Sequence, residues 1–268
     1  MDEVIKSPEY EKLESEVREK QQELSDILFV HDDLKHVICE NIKTNYLVEI
    51  GGLEYEVFEK FCEFLRLRRK KELIQAKINR NEKPDLAKIE QQLKKEFADY
   101  QEQMQKRLED IYIAKVTSEG PALTGKELKE FKSIYRNIIK KLHPDLNPNI
   151  DENSKELFDR AVAAYQIGDL EMLKILLELT KQSETTQTDD TSISGLRARK
   201  ENLEKLIEKV QIDIENIKQT TPYIWKYFLD NPVEKAKRIN ILETQVRSYE
   251  VAIKTQVDLI EKMLDDSK

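Results

Sequence analysis

Residues that form turns are scarce in this sequence. Its 268 residues include only 6 Gly and 7 Pro, together about 5% of the chain, where about 12% is ordinary. This scarcity excludes β-sandwiches, barrels and Rossmann domains, because those folds need many tight turns. Charged residues reach 37% and the net charge is −8, which is typical of long helices with narrow apolar seams. We therefore predict an all-α protein.

Cysteine, long apolar runs and excess positive charge are also missing. Two cysteines, Cys39 and Cys62, cannot build a disulfide framework and fit a reducing compartment. The N-terminus lacks the basic and apolar regions of a signal peptide, and no apolar run approaches the ~20 residues that span a bilayer. The acidic balance argues against non-specific nucleic-acid binding. We expect a cytoplasmic protein without a membrane partner.

The N-terminal segment 1–115 carries apolar residues at the three-four spacing of a coiled-coil seam. The spacing predicts three long helices, over 8–45, about 53–79 and 84–114. Ser7 before Pro8 is the predicted N-cap of the first, and Gly51-Gly52 is a predicted break. Such seams are buried only against each other, so we expect a helical bundle.

The C-terminal part begins with a polar linker, residues 181–195 (KQSETTQTDDTSISG). Residues 196–268 then predict an antiparallel helical hairpin with two apolar seams. Its connection concentrates aromatic residues from Tyr223 to Phe228, which we interpret as the core of a helical turn; a partner-binding tip is the alternative. The apolar seams of this segment and of the N-terminal segment can be buried within one chain or between two chains, so the sequence leaves open whether the protein is a homo-oligomer.

Between these segments, residues 116–180 are predicted to form a compact module. Thr124 and Glu127 have the spacing of a capping box, which predicts the start of an amphipathic helix. Its basic residues recur along one face and continue to the end of the helix: Lys129, Lys132, Arg136, Lys140 and Lys141. The sequence His143-Pro144-Asp145 follows, and Pro144 restricts His143 to extended geometry, so the helix must end there.

A second amphipathic helix is predicted after this corner. Asp151 is its predicted N-cap and Gly168 its C-cap, and its apolar face includes Phe158 and the Ala164-Tyr165 pair. A short leucine-rich helix follows from Leu170 to Leu179.

A basic helix, a His-Pro-Asp corner and an antiparallel helix with an Ala-Tyr pair resemble the J domain of DnaJ-type co-chaperones. The resemblance covers about 65 of the 268 residues. It implies that His143, Pro144 and Asp145 contact a DnaK-type chaperone, while the basic helix docks on an acidic surface of that partner. The implied role is a co-chaperone that stimulates the partner's ATPase. The chain itself would be no enzyme and need no cofactor, and its coiled-coil segments would select a client that the sequence does not identify.

Two further interpretations are kept open. Asp110 to Ile113 is the best candidate for the first J-domain helix, which is atypical here, so a structural or adaptor coiled-coil protein with a degenerate J-like module is the alternative. The basic run Arg66 to Lys71 is interpreted as an exposed helix face, with phosphate contacts as its alternative. His36 and Cys39 lie one turn apart without a third ligand, so we predict no metal site.

Overall fold

The computed structural model describes residues 7–120, 123–180 and 192–266. All regular secondary structure in these ranges is helical, as predicted. The helices are α1 (Pro8–Asp32), α2 (Cys39–Tyr46), α3 (Gly52–Ile78), α4 (Leu86–Glu96), α5 (Ala98–Ser118), α6 (Gly125–Leu142), α7 (Glu152–Ile167), α8 (Leu170–Thr180), α9 (Ile193–Gln219), α10 (Lys226–Asp230) and α11 (Pro232–Asp265). Two π-helical segments, Asp33–Ile38 and Leu47–Gly51, and a short 3₁₀ turn, Tyr223–Trp225, complete the list.

By its contacts the chain divides into two compact units. The first unit comprises Met1–Asn41 and Pro121–Ile224, and the second comprises Ile42–Gly120 and Trp225–Lys268. This division differs from the predicted segments, because both the N-terminal and the C-terminal segment contribute helices to each unit.

The first unit is built from a helix pair and a three-helix module. Helices α1 and α9 run parallel, since Glu9 pairs with Arg197 near their starts and Glu16 with Lys200 at 2.9 Å. Helices α6, α7 and α8 pack on one another, and α1 packs on α6. One continuous apolar core joins the pair to the module. The module that carries the predicted site is therefore packed against α1.

The second unit is centred on α3. Helix α11 runs parallel to it, with Glu54 bonded to Arg238 at 2.6 Å and Phe61 beside Tyr249. Helices α4 and α5 also pack on α3. The single tryptophan, Trp225, stacks on Tyr46 with ring centres 4.4 Å apart. Together with Phe228 these rings form a local apolar cluster.

The predicted C-terminal hairpin is wrong. Helices α9 and α11 are both present, but α9 packs against α1 and α11 packs against α3. Seams with the same three-four spacing are interchangeable as partners, and the spacing alone does not choose among them. The predicted linker also extends too far, because Ser192 caps α9 and residues 193–195 are helical; residues 181–191 lie outside the described ranges.

The predicted break at Gly51-Gly52 is also wrong. Both glycines have right-handed helical geometry, with φ of −56° and −60°. A Cβ atom on Gly51 would lie 3.0 Å from Leu47 Cδ2 and 3.6 Å from Ile111 of α5. The tight contact of such a Cβ atom is with Leu47 of the same π-helical segment, while its distance to α5 is an ordinary van der Waals distance, and Gly51 does not form a turn. The predicted helix over 84–114 is interrupted at Phe97, which separates α4 from α5.

Candidate functional site

Helix α6 begins and ends on local signals that the sequence predicts. The Glu127 backbone N–H donates to Thr124 Oγ1 at 3.3 Å, and the Thr124 N–H donates to the Glu127 carboxylate at 2.8 Å, which completes the capping box. The helix ends at Leu142, and His143 is extended at φ −64°, ψ 127°. The amphipathic helix therefore leads directly into the His-Pro-Asp corner.

The corner is held by its own hydrogen bonds. The backbone N–H groups of Leu146 and Asn147 both donate to the His143 carbonyl. The Asn147 side-chain amide donates to the carbonyls of Lys140 and Lys141 at 3.2 and 3.0 Å, which satisfies acceptors that a helix C-terminus leaves open. Backbone and side-chain hydrogen bonds thus both attach the loop to the end of α6.

Within this corner the three residues differ in exposure. The His143 ring is half-buried, with its centre 5.0 Å from the Phe158 ring centre, and its Nδ1 accepts the Asp145 backbone N–H at 3.1 Å. Burial lowers the pKa of His143, although the carboxylates of Asp145 and Asp32 act in the other direction. Pro144 and Asp145 are exposed. The resemblance implies that His143 contacts the chaperone, whereas in the structure its half-buried ring packs on Phe158 and braces the backbone of Asp145.

An aromatic stack joins α6 to α7. The Tyr165 ring lies between the rings of Phe131 and Tyr135, with centroid distances of 4.6 and 3.9 Å and nearly parallel planes. All three side chains are buried. The Ala164-Tyr165 pair noted in the sequence thus supplies the central ring of the module's core.

A buried acidic pair at the end of α1 bonds to this stack. Tyr135 donates its hydroxyl to Asp32 and Tyr165 donates to Asp33, at 2.7 and 2.8 Å. Asp32 also contacts His31 Nδ1 at 3.0 Å. Burial alone would raise the pKa of Asp32, but the bonds from His31 and Tyr135 hold it below its usual value. Both carboxylates are therefore integral to the packing of α1 on the module.

The residues of the predicted basic face of α6 differ in their exposure and in their contacts. Lys129, Arg136, Lys140 and Lys141 are exposed. Lys132 is half-buried and pairs with Asp33 at 2.7 Å, and the Arg136 guanidinium lies 4.1 Å from the ring centre of Phe29. Two of the predicted partner-binding residues thus contact α1 and the π-helical segment Asp33–Ile38.

Sequence reasoning missed Phe29, Asp32 and Asp33 as neighbours of the site. The available signal was the acidic pair Asp32-Asp33, which directly adjoins the apolar seam of the first predicted coiled-coil helix. The π-helical segment that begins at Asp33 shifts the side chains out of the 3.6-residue period. A periodicity count therefore could not place these carboxylates against α6.

The other candidate features lie outside this site. In the run from Arg66 to Lys71, Lys70 pairs with Glu90 at 2.6 Å and Arg69 with Glu96 at 2.8 Å. The interpretation of an exposed face is wrong for most of the run, because only Arg68 is exposed and the other five residues are half-buried. His36 contacts Gln166 at 2.8 Å. No group of three or more His, Cys, Asp or Glu side chains among the described residues could hold a metal ion. No helix within the described ranges is long and apolar enough to cross a membrane.

Comparison with protein-family models, with curated proteins and with solved structures finds no match to this chain.

Proposed function

We propose that this protein is a J-domain-type co-chaperone that recruits a DnaK-type chaperone and stimulates its ATPase. The observation that carries the proposal is an exposed Pro144-Asp145 tip fixed at the end of a basic helix. The long helices α1, α3, α9 and α11 would select the client or the site of action. Lys129, Lys140 and Lys141 remain exposed to steer an acidic partner surface toward the tip.

The chemistry of the tip suits recognition of a cation. Asp145 carries a carboxylate on a loop whose backbone is already held by His143 and Asn147. A carboxylate on a rigid loop loses little conformational freedom on binding and makes strong charge-assisted hydrogen bonds to an arginine. Asp145 is therefore the proposed contact residue, and His143 is a positioning residue that holds its backbone.

The test is the single-turnover ATPase rate of a DnaK-type chaperone with the full-length protein. Wild type should accelerate hydrolysis. Asp145→Asn should weaken the stimulation about tenfold or more, as expected for a charge-assisted bond of roughly 1.5–3 kcal/mol. Asp159→Asn is the matched control, because Asp159 is an exposed acid on α7 and undergoes the same charge change. An inactive wild type, or equal activity of both variants, would reject the proposal.

A second pair of variants tests the positioning role of His143. His143→Asn places an amide oxygen near the position of Nδ1 and can keep the bond from the Asp145 N–H, whereas His143→Gln cannot place its oxygen there. Stimulation should be retained better by the first variant than by the second.

One observation favours the alternative function, a structural or adaptor protein without chaperone coupling. Lys132 and Arg136 are engaged by residues of α1 and the following π-helical segment, as a purely structural module would allow. If no DnaK-type chaperone responds to wild type, the adaptor function becomes the favoured one.

A further inference from the structure

The basic face of α6 is in contact with an acidic and aromatic surface of the same chain. Asp33 Oδ2 accepts a bond from Lys132 Nζ at 2.7 Å across 99 positions of sequence. Phe29 offers its ring face to Arg136 at 4.1 Å. A carboxylate and an aromatic ring are the two groups that attract lysine and arginine most directly. Asp33 therefore engages the Lys132 ammonium, and Phe29 covers one face of the guanidinium of Arg136, a residue that is otherwise exposed.

This contact is part of the packed structure. Asp33 is 8% exposed and Phe29 is 3% exposed, and Asp33 is held in addition by the Tyr165 hydroxyl at 2.8 Å. Exposed ion pairs contribute little free energy to a contact, because water and salt screen the charges. A partly buried, multiply bonded carboxylate holds its lysine more firmly, so an incoming partner must compete with it.

The exposed tip is bounded by the other helix of the pair. A groove of about 690 Å³ separates the corner, at Pro144 and Asp145, from α9, at Ala198 and Asn202. A large partner that approaches Asp145 from this side meets α9. The two helices α1 and α9 thus restrict both parts of the proposed binding surface, the basic face and the tip.

We infer that the end of α1 and the π-helical segment after it form a built-in competitor for the basic face of α6, which a DnaK-type chaperone must displace to engage Lys132 and the covered face of Arg136. This inference rests on the proposed function. When only a fraction of a protein is in the binding-competent form, its apparent affinity for the partner is reduced by that fraction. Weakening the internal contact should therefore strengthen chaperone binding without any change in the α6 side chains.

The first test is the concentration of this protein that gives half-maximal stimulation of the chaperone ATPase. Asp33→Asn keeps an oxygen for Tyr165 but removes the charge that holds Lys132, and Phe29→Leu removes the ring beneath Arg136 but stays apolar. Each should lower the half-maximal concentration at least about threefold. Glu208→Gln, an exposed acid of α9, makes the same change of net charge as Asp33→Asn and should behave as wild type.

The second test uses wild type and does not depend on whether the variants fold. Backbone hydrogen exchange is measured with and without the DnaK-type chaperone and ATP. Exchange in residues 25–38 should become faster on chaperone binding as this segment leaves α6, while the corner at His143 to Asp145 becomes protected.

The outcomes separate the inference from the function on which it rests. If wild type stimulates the chaperone but the folded variants have unchanged half-maximal concentrations, the inference is overturned and the proposed function stands. Protection of the corner with unchanged exchange in residues 25–38 has the same meaning. If neither wild type nor any variant binds or stimulates, the proposed function fails and the inference with it.

Discussion

The hydrogen bond between Tyr135 and Asp32 offers a quantitative test of how α1 is attached to the module. Tyr135 is fully buried, and its hydroxyl donates to a carboxylate that is itself 7% exposed, at 2.7 Å. Tyr135→Phe removes this bond and leaves the stacked ring in place against Tyr165, 3.9 Å away. The substitution therefore isolates the hydroxyl from the packing of the ring.

The expected magnitude follows from the charge and the remaining partner of Asp32. A hydrogen bond to a charged group contributes roughly 1.5–3 kcal/mol net. Asp32 keeps its contact with His31 Nδ1 at 3.0 Å, so it is not left without a partner and the full desolvation penalty does not apply. We expect Tyr135→Phe to lower the free energy of unfolding by about 2 kcal/mol.

A double-mutant cycle with Asp32→Ala measures the coupling directly, because alanine leaves no acceptor for the Tyr135 hydroxyl. Unfolding in urea is followed by far-UV circular dichroism, and hydrogen exchange in α6 and α7 shows where stability is lost. Tyr112→Phe is the control, because the Tyr112 side chain is 69% exposed and its substitution should cost less than about 0.5 kcal/mol. A coupling energy below about 0.5 kcal/mol would refute the attachment of α1 through this bond.

Two further predictions concern backbone geometry and pH. Gly168 has φ of +74°, whereas Gly52 is right-handed helical with open space at its Cβ position. In urea unfolding, Gly168→Ala should lower the free energy of unfolding by about 1–2 kcal/mol. Gly52→Ala should raise it by about 0.5–1 kcal/mol. Opposite signs would contradict the assigned geometry. Burial lowers the pKa of both His143 and His36, so the unfolded chain binds more protons as the pH falls below about 6.5. Stability should therefore decrease on acidification, by at most about 1.4 kcal/mol per pH unit for each histidine, and His143→Gln should flatten that profile; an unchanged profile would show that His143 does not titrate in this way.

Local signals explain why the ends of the module's helices were predictable. The capping box at Thr124, the stop imposed by Pro144, the N-cap at Asp151 and the left-handed C-cap at Gly168 each act within about four residues of sequence. Each involves a side chain with a specific backbone partner, so a single sequence is sufficient to read it. The N-cap at Ser7 is confirmed for the same reason.

The choice of helix partners was not predictable from the seams. The spacing in α9 and α11 indicates that each helix needs an apolar partner, but it does not distinguish α1 from α3 or one helix of a hairpin from the other. The short turn from Tyr223 to Phe228 suggested that the two helices fold back on each other. Trp225 stacks instead on Tyr46, a contact between distant parts of the sequence that no local pattern reveals.

The acidic pair of α1 supplies the specificity that an apolar seam lacks. Apolar side chains tolerate a shift by one heptad at little cost, whereas a buried carboxylate that loses its donors incurs a large desolvation penalty. In the observed alignment of α1 with α6 and α7, Asp32 accepts a bond from Tyr135, and Asp33 accepts bonds from Tyr165 and Lys132. We therefore expect these carboxylates to fix which segment of α1 lies on the module. The same alignment places Phe29 against Arg136, so we expect this pair of acids to influence both the packing of α1 and the contacts of the basic face.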